Sequence, residues 1–361
     1  MKILIIGFTH PNYMPYLHHY LRLLDNSSEH DVSVAYWNRS NLNNSGINIT
    51  GHTYIFNKSM SDTDNLLKKI PKILKYSSFL KKVLKRNDFD LLIVLHTTTA
   101  FVIKSMLYTK YKNKFIFDYR DVTYENLNFY RKEVHKIIKH SALCISSSKG
   151  FDRYFPIEKE VYYLHNINPA KKNDTFKIND KIIIRFWGFI RHPKINELII
   201  EAISKDDRFE LHYHGKIQEI VKRLIKFSKL LDSKNVFFHG EYNNNDRIAF
   251  ASNTNLIHNI YENDYVTSYA MGNKYYDGLQ FKIPQICSEG SFMGSEVNSY
   301  HVGLTVDVNK SGFLDTIYEY YLNLNFEAFK ENCTLALNEC LNENNETDKH
   351  IIKVIKEIKH V

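Results

Sequence analysis

The feature that most constrains the fold is a recurring one. Short apolar runs, each closed by glycine or polar residues, alternate with segments of helical periodicity. Lys2-Ile3-Leu4-Ile5-Ile6-Gly7 is apolar almost without interruption, as a parallel strand covered on both faces must be. A helix follows, with Tyr13, Tyr16, Leu17, Tyr20, Leu21 and Leu24 at helical spacing and Pro15 in its first turn. Further strands are expected over 31–37, 91–95, 115–118 and 143–146, then over 181–186, 209–215, 256–261, 284–288 and 303–306. Strands that alternate with helices form parallel sheets wound on both sides. A length of 361 residues gives room for two such domains. The polar stretch 171–180 reads as a linker, so the expected class is α/β. The expected domains are 1–170 and 171–340, followed by a helix over 341–361.

Tyr269 to Ser288, YAMGNKYYDGLQFKIPQICS, reads as loop, short helix, break and buried strand. Asn273 is placed to cap the helix, because its side chain can accept from a free backbone N–H. Tyr275, Leu279 and Ile283 recur at near-helical spacing toward a core, while Lys274, Asp277 and Gly278 share another side. Pro284 stops the helix, since it supplies no N–H. A helix N-terminus with a lysine and, one turn on, a carboxylate can hold a nucleotide sugar. The N–H groups and lysine meet phosphate oxygens, and the carboxylate accepts from ribose hydroxyls. An ordinary turn with a surface Lys–Asp pair has the same residues. Upstream lies Trp187-Gly188-Phe189-Ile190-Arg191-His192-Pro193-Lys194. Gly188 lets the backbone approach a ligand, and Arg191 and Lys194 can both reach phosphates.

In their order these pieces resemble GT-B glycosyltransferases of the group 1 type. Asn273 to Leu279, with Ile283-Pro284-Gln285-Ile286, is similar to that family's segment whose acidic residue holds the donor ribose. Asp277 stands where the usual residue is Glu, and the family's second glutamate falls at Tyr269. Gly188 to Lys194 resembles the G-R-x-x-x-x-K element that neutralises the donor pyrophosphate. The lysine matches in spacing, and the arginine comes at the third position after glycine instead of the first. Asn235 to Tyr242, Glu296 to Val306 and His165 to Pro169 resemble further family segments in sequence order.

The resemblance implies two Rossmann-like, doubly wound domains facing across a cleft, with the C-terminal helix packed back on the first. It implies a nucleotide-diphosphate sugar as donor, a hexosyltransferase-like reaction, no metal ion and no cofactor. Gly188, Arg191, Lys194, Asn273, Lys274 and Asp277 would bind the donor, and Lys194 would also act in catalysis. The acceptor would be a saccharide or lipid-linked saccharide of a bacterial surface-polysaccharide pathway. A nucleotide-sugar epimerase of the same fold and a basic binding protein with a vestigial site stay open as alternatives.

Ligands of doubly wound sheets bind beyond the carboxyl ends of the strands. In the first half those ends carry Thr9-His10-Pro11-Asn12, His96-Thr97-Thr98-Thr99 and Asp118-Tyr119-Arg120-Asp121. His96, Asp118 and Asp121 are therefore the catalytic candidates, one of them the general base if the sugar inverts. The structural alternative gives Asp118 to a loop cap and Arg120–Asp121 to an ion pair. No GxGxxG follows the first strand, so no dinucleotide cofactor is expected.

The formal charge is +8, and basic residues crowd Leu67 to Arg86: Lys68, Lys69, Lys72, Lys75, Lys81, Lys82, Lys85 and Arg86. Tyr76, Phe79 and Leu80 interleave with them. The pattern suits an amphipathic helix at an anionic membrane surface and equally a plain solvated helix; nucleic acid is not expected as a partner. No run reaches the roughly 20 apolar residues that span a bilayer. Ile3 to Phe8 is too short for a signal peptide, so a cytoplasmic place, with the membrane's inner face as an option, is expected. Cys144 and Cys287 fall in strands and read as core residues. His212 and His214 alternate along a strand, a spacing open to a metal but closed by Gly215 as a strand end is.

Overall fold

A computed structural model describes residues 1–25, 29–42, 47–61, 64–168 and 180–359. The expected linker residues 171–179 lie outside them. The chain divides into two compact units, residues 1–166 with 342–361, and residues 167–341.

The first unit is a parallel sheet of strands β1 (Lys2–Ile6), β2 (Asp31–Asn38), β3 (Thr53–Asn57), β4 (Leu91–Leu95), β5 (Phe115–Tyr119), β6 (Leu143–Ser146) and β7 (Tyr162–Tyr163), in the order β3-β2-β1-β4-β5-β6-β7. β1 and β4 bury almost every side chain, which is why they read as apolar runs and not as an alternation. Helices α1 (Pro15–Asp25), α2 (Leu66–Arg86), α3 (Thr97–Tyr108) and α4 (Asn128–His140) connect strands. Leu17, Tyr20 and Leu24 of α1 enter the core, as their spacing predicts.

The second unit repeats the plan with β8 (Ile182–Trp187), β9 (Phe209–His214), β10 (Val236–Gly240), β11 (Leu256–Asn259), β12 (Gln285–Ser288) and β13 (Gly303–Val306), in the order β10-β9-β8-β11-β12-β13. Its helices are α5 (Pro193–Ser204), α6 (Glu219–Leu230), α7 (Asn244–Ala251), α8 (Asn273–Phe281), α9 (Phe292–Ser299) and α10 (Phe313–Leu322). Cys144 and Cys287 are buried in β6 and β12.

A last helix, α11 (Phe326–Lys359), belongs to both units. In the second unit Phe329, Cys333 and Ala336 pack with Tyr275, Tyr276 and Leu279 of α8. In the first, Ile351, Val354 and Ile355 join Ile3, Ile5 and Leu17. Asn344 accepts from the His165 N–H at 2.6 Å and donates to its carbonyl at 3.1 Å. Thr347 donates to the Tyr163 carbonyl at 2.6 Å. A buried amide and hydroxyl thus supply the hydrogen bonds that the edge segment 163–165 would otherwise lack.

In each sheet the strand order reverses beside the unit's first strand, between β1 and β4 and between β8 and β11. Such a reversal leaves a crevice at the carboxyl ends, because the flanking connections depart to opposite sides.

Candidate active site

The crevice of the second unit is bounded by the residues after β8 and after β11. Gly188 has φ +119 and open space where a Cβ would stand, so its backbone conformation, not crowding, requires glycine. Gly215 is required by contact: a Cβ there would lie 2.2 Å from the Gly188 carbonyl oxygen. His192 takes a left-handed conformation at the N-cap of α5, and Pro193 follows at a position suited to its fixed φ. Buried Asn196 holds this turn from below, donating to the carbonyls of Arg191 (2.8 Å) and His192 (2.9 Å). Its carbonyl in turn accepts from the Tyr213 hydroxyl at 2.8 Å. Arg191 and Lys194 are exposed on the outer side, the Arg191 guanidinium 5.1 Å from the Phe189 ring.

Across the crevice, Tyr261 is fixed through its backbone to Ser288, with a 2.7 Å bond from its N–H to the hydroxyl. Lys274, in the first turn of α8, is 6% exposed. Its ammonium donates to the Tyr261 hydroxyl, 3.9 Å from the Phe186 ring centroid and 5.0 Å from that of Tyr261. Among the described residues no carboxylate lies within 4.0 Å of it. A cation so far from water with neutral partners alone is expensive, and an anion in the crevice would offset that cost. His192 packs on the same Tyr261 ring at 6.0 Å, with its Nδ1 3.6 Å from Glu262 and 3.8 Å from Asp264. Its Nε2 is buried without a hydrogen-bond partner.

Asp277 is turned away from that position. It is 3% exposed, and its two oxygens accept from Arg247 (2.6 Å) and the Trp187 indole (2.8 Å). Burial raises its carboxyl above the ordinary value, against the opposing pull of Arg247, Trp187 and Lys274. Asn273 is not the cap: Gly272 holds that position, with no side-chain hydrogen bond, and Asn273 is the first, exposed helical residue.

In the first unit His96 ends β4 and caps α3, accepting from the Thr98 N–H at 3.2 Å. Its φ of +81 is strained for a bulky side chain. The ring stacks on Phe8 at 5.7 Å, and burial with the Arg39 charge pushes its pKa down to about 4. Asp118 is wholly buried; one oxygen accepts from Tyr20 (2.7 Å) and Arg120 (2.6 Å). Arg120 also donates to the Leu164 carbonyl at 3.0 Å and lies 4.5 Å from the Tyr16 ring. The ion pair expected as Arg120–Asp121 is therefore Arg120–Asp118. Asp121 is exposed, and its carbonyl accepts from Thr97 at 3.0 Å.

No family model and no curated protein matches the chain. Solved structures do. Sucrose-phosphate synthase of Thermosynechococcus elongatus superposes with a TM-score of 0.74 at 11% identity, over 100% of this chain and 99% of that one. Anabaena HepE in complex with UDP and glucose gives 0.68 at 11%, over 97% and 99%. A glycosyltransferase of Rickettsia africae gives 0.66 at 16%, over 99% and 98%. The fold is GT-B.

Within this GT-B chain the structure gathers Gly188, His192, Tyr261 and Lys274 at one switch point, with Arg191 and Lys194 on the same turn. It leaves Asp277 behind them in the interior. His96 and Asp118 are neighbours through their backbones, the His96 N–H donating to the Asp118 carbonyl at 2.9 Å, but their side chains part, His96 to Phe8 and Asp118 to Tyr20 and Arg120. Sequence reasoning missed His192 and Asn196. The signal for them was weak: a histidine before proline at a helix start, and a lone asparagine on an apolar helix face. His212, His214 and His239 form a stack, with centroids 5.2 Å and 4.3 Å apart, beside Arg185. Among the described residues no group has the arrangement of a metal site.

Proposed function

We propose that the chain is a glycosyltransferase that moves a sugar from a nucleotide-diphosphate sugar to a saccharide or lipid-linked saccharide. The pathway would be bacterial surface-polysaccharide synthesis at the cytoplasmic face of the membrane. The observation that carries the reading is Lys274, a buried cation with no carboxylate, at the switch point of the second sheet. As the bond from the sugar C1 to the diphosphate oxygen breaks, negative charge grows on the leaving group. A cation already desolvated and held in place stabilises that charge more than it stabilises the ground state. The first-turn N–H groups of α8 add to it, Arg191 and Lys194 reach the diphosphate from the other wall, and side chains meet the leaving charge without a metal ion. Asp277 serves by placing Arg247 and Trp187. Glu262, beside His192, is the better-exposed carboxylate for donor hydroxyls. HepE holds UDP-glucose, which makes a UDP-sugar the first donor to try.

If the reaction inverts, the new bond forms from the acceptor oxygen to C1 while the acceptor proton passes to a base of the first unit. Exposed Asp121 fits that role better than Asp118, and His96, neutral at pH 7, would serve only by releasing the Thr98 N–H from Nδ1. The test is a panel of nucleotide sugars, with release of nucleoside diphosphate followed with and without saccharide acceptors, and calorimetry of UDP binding. Acceptor-dependent release supports the reading. Failure to bind any nucleoside diphosphate, or an interconverted donor without transfer, overturns it.

A further inference from the structure

The first two turns of α2 show to solvent what a helix of a compact domain hides. Leu67 is 80% exposed, Leu74 64% and Ile70 49%. With exposed Pro71 they recur at i, i+3, i+4 and i+7, so they form one stripe. The stripe is not the core face, because Tyr76, Leu80 and Leu84 on the other side fill the interior. The helix carries eight basic residues and no acidic one. Toward its C-terminal end the outer face passes to Lys81, Lys82 and Lys85. Lys72 pairs with Asp64 at 2.9 Å, but Lys58, beyond the end of β3, lies against Lys75, and the neighbouring charge lowers its pKa. Like charges gathered in this way build a positive potential. Since α2 leaves the carboxyl end of β3, the stripe stands at the same edge of the sheet as His96. The start of α4, at that edge too, exposes Leu127 (44%) and Phe129 (62%).

We propose that this face of α2 docks on an anionic lipid bilayer. Leu67, Ile70, Pro71 and Leu74 enter the boundary between headgroups and acyl chains, and Lys68, Lys75, Lys81, Lys82 and Lys85 meet lipid phosphates. Charge complementarity selects this occupant. Nucleic acid accounts for the lysines and leaves the leucines in water. A second copy of the chain covers the leucines and sets one cationic helix against another. The inference rests on the proposed function only in setting a lipid-linked acceptor near the bilayer; vesicle binding itself needs no nucleotide sugar.

The test is co-sedimentation of the full chain with vesicles of phosphatidylcholine alone and of phosphatidylcholine with phosphatidylglycerol, at low and high salt. Binding should need the anionic lipid and weaken with salt. The triple variant Leu67→Ser/Ile70→Ser/Leu74→Ser should bind about a hundredfold more weakly. Lys81→Gln/Lys82→Gln/Lys85→Gln should bind about tenfold more weakly. Leu67, Ile70, Leu74, Lys82 and Lys85 are exposed and Lys81 is half-buried, and circular dichroism verifies that both variants stay folded. No sedimentation at low salt, equal binding to neutral vesicles, or an unchanged triple-serine variant overturns the inference. So does a stripe-dependent dimer on gel filtration, or binding to duplex DNA that outcompetes vesicles. Sugar transfer without vesicle binding sinks this inference alone, and vesicle binding without transfer sinks the proposed function alone.

Discussion

The two units share a topology and finish their crevices in opposite ways. Beside the first switch point the buried charges answer one another: Asp118 is held by Arg120 and Tyr20, and Arg120 by Asp118 and a carbonyl. Beside the second, Asp277 and Arg247 are likewise closed on each other, yet Lys274 keeps only a hydroxyl and two aromatic rings. Strand orders that agree but for the extra β7 therefore do not make identical sites. Charges that neutralise each other inside a unit hold it together, and a buried cation at the crevice with no ion-pair partner is where an anionic ligand gains.

Opposite outcomes are expected when each buried charge is removed. Asp118→Ala strands Arg120 in the interior and should cost about 3–5 kcal/mol of stability, read from denaturant unfolding. A loss below about 1 kcal/mol would mean that the pair is not a structural one. Lys274→Met removes a charge that has no ion-pair partner, and only the Tyr261 hydroxyl loses a hydrogen bond. It should leave the unfolding midpoint unchanged or higher, while turnover falls by about 10²–10³-fold, as for one removed charge-stabilising donor. Normal turnover with lowered stability would reverse the comparison.

Acid should also separate the units. His258 donates through Nε2 to Asn196 and accepts through Nδ1 from the Ile260 N–H, so both ring nitrogens are satisfied only in the neutral form. Burial, with Lys274 nearby, pushes its pKa down to about 3. Its unfolded counterpart gains a proton below about pH 6.5, the folded one does not, so stability falls with pH at about 1.4 kcal/mol per unit over that window. His212 and His214 are also pushed down to about 3, whereas the first unit has His96 at about 4. Hydrogen exchange between pH 7 and 5, corrected for intrinsic rates, should therefore show the second unit opening first. Simultaneous opening would refute the asymmetry. The smallest effect is reserved for exposed Lys194. Lys194→Ala should lower turnover about fivefold, because solvent screens an exposed charge. A loss as large as that of Lys274→Met would move the centre of the site to the α5 turn.

The sheets were legible because strands buried on both faces must be almost wholly apolar: β4 is so throughout, β1 after Lys2, and β8 except for Arg185. Lys274 was legible from its place at a helix start. The orientation of Asp277 was not: its partners Arg247 and Trp187 lie 30 and 90 residues away in sequence, beyond the reach of any local pattern. The α2 helix was legible as basic and amphipathic, but its sides were not. Leu67, Ile70 and Leu74 have the spacing of a core stripe, and only the sheet beneath decides that Tyr76, Leu80 and Leu84 face inward. Asn273 lost the cap to Gly272 because a residue one position earlier already has the extended backbone a cap requires.

The helix α11 carries a consequence for biosynthesis. Residues 167–341 form one unbroken stretch, so the second unit has all its parts once the ribosome has delivered residue 341. The first unit, begun earlier, must wait for Ile351, Val354 and Ile355 to close its apolar core. The half of the protein translated first is thus the half completed last. In the interval its core lies open beside a finished neighbour, an exposure that favours chaperone capture or aggregation. A premature stop shortly after residue 341 would leave the lysine-bearing unit able to fold and the His96-bearing unit uncovered.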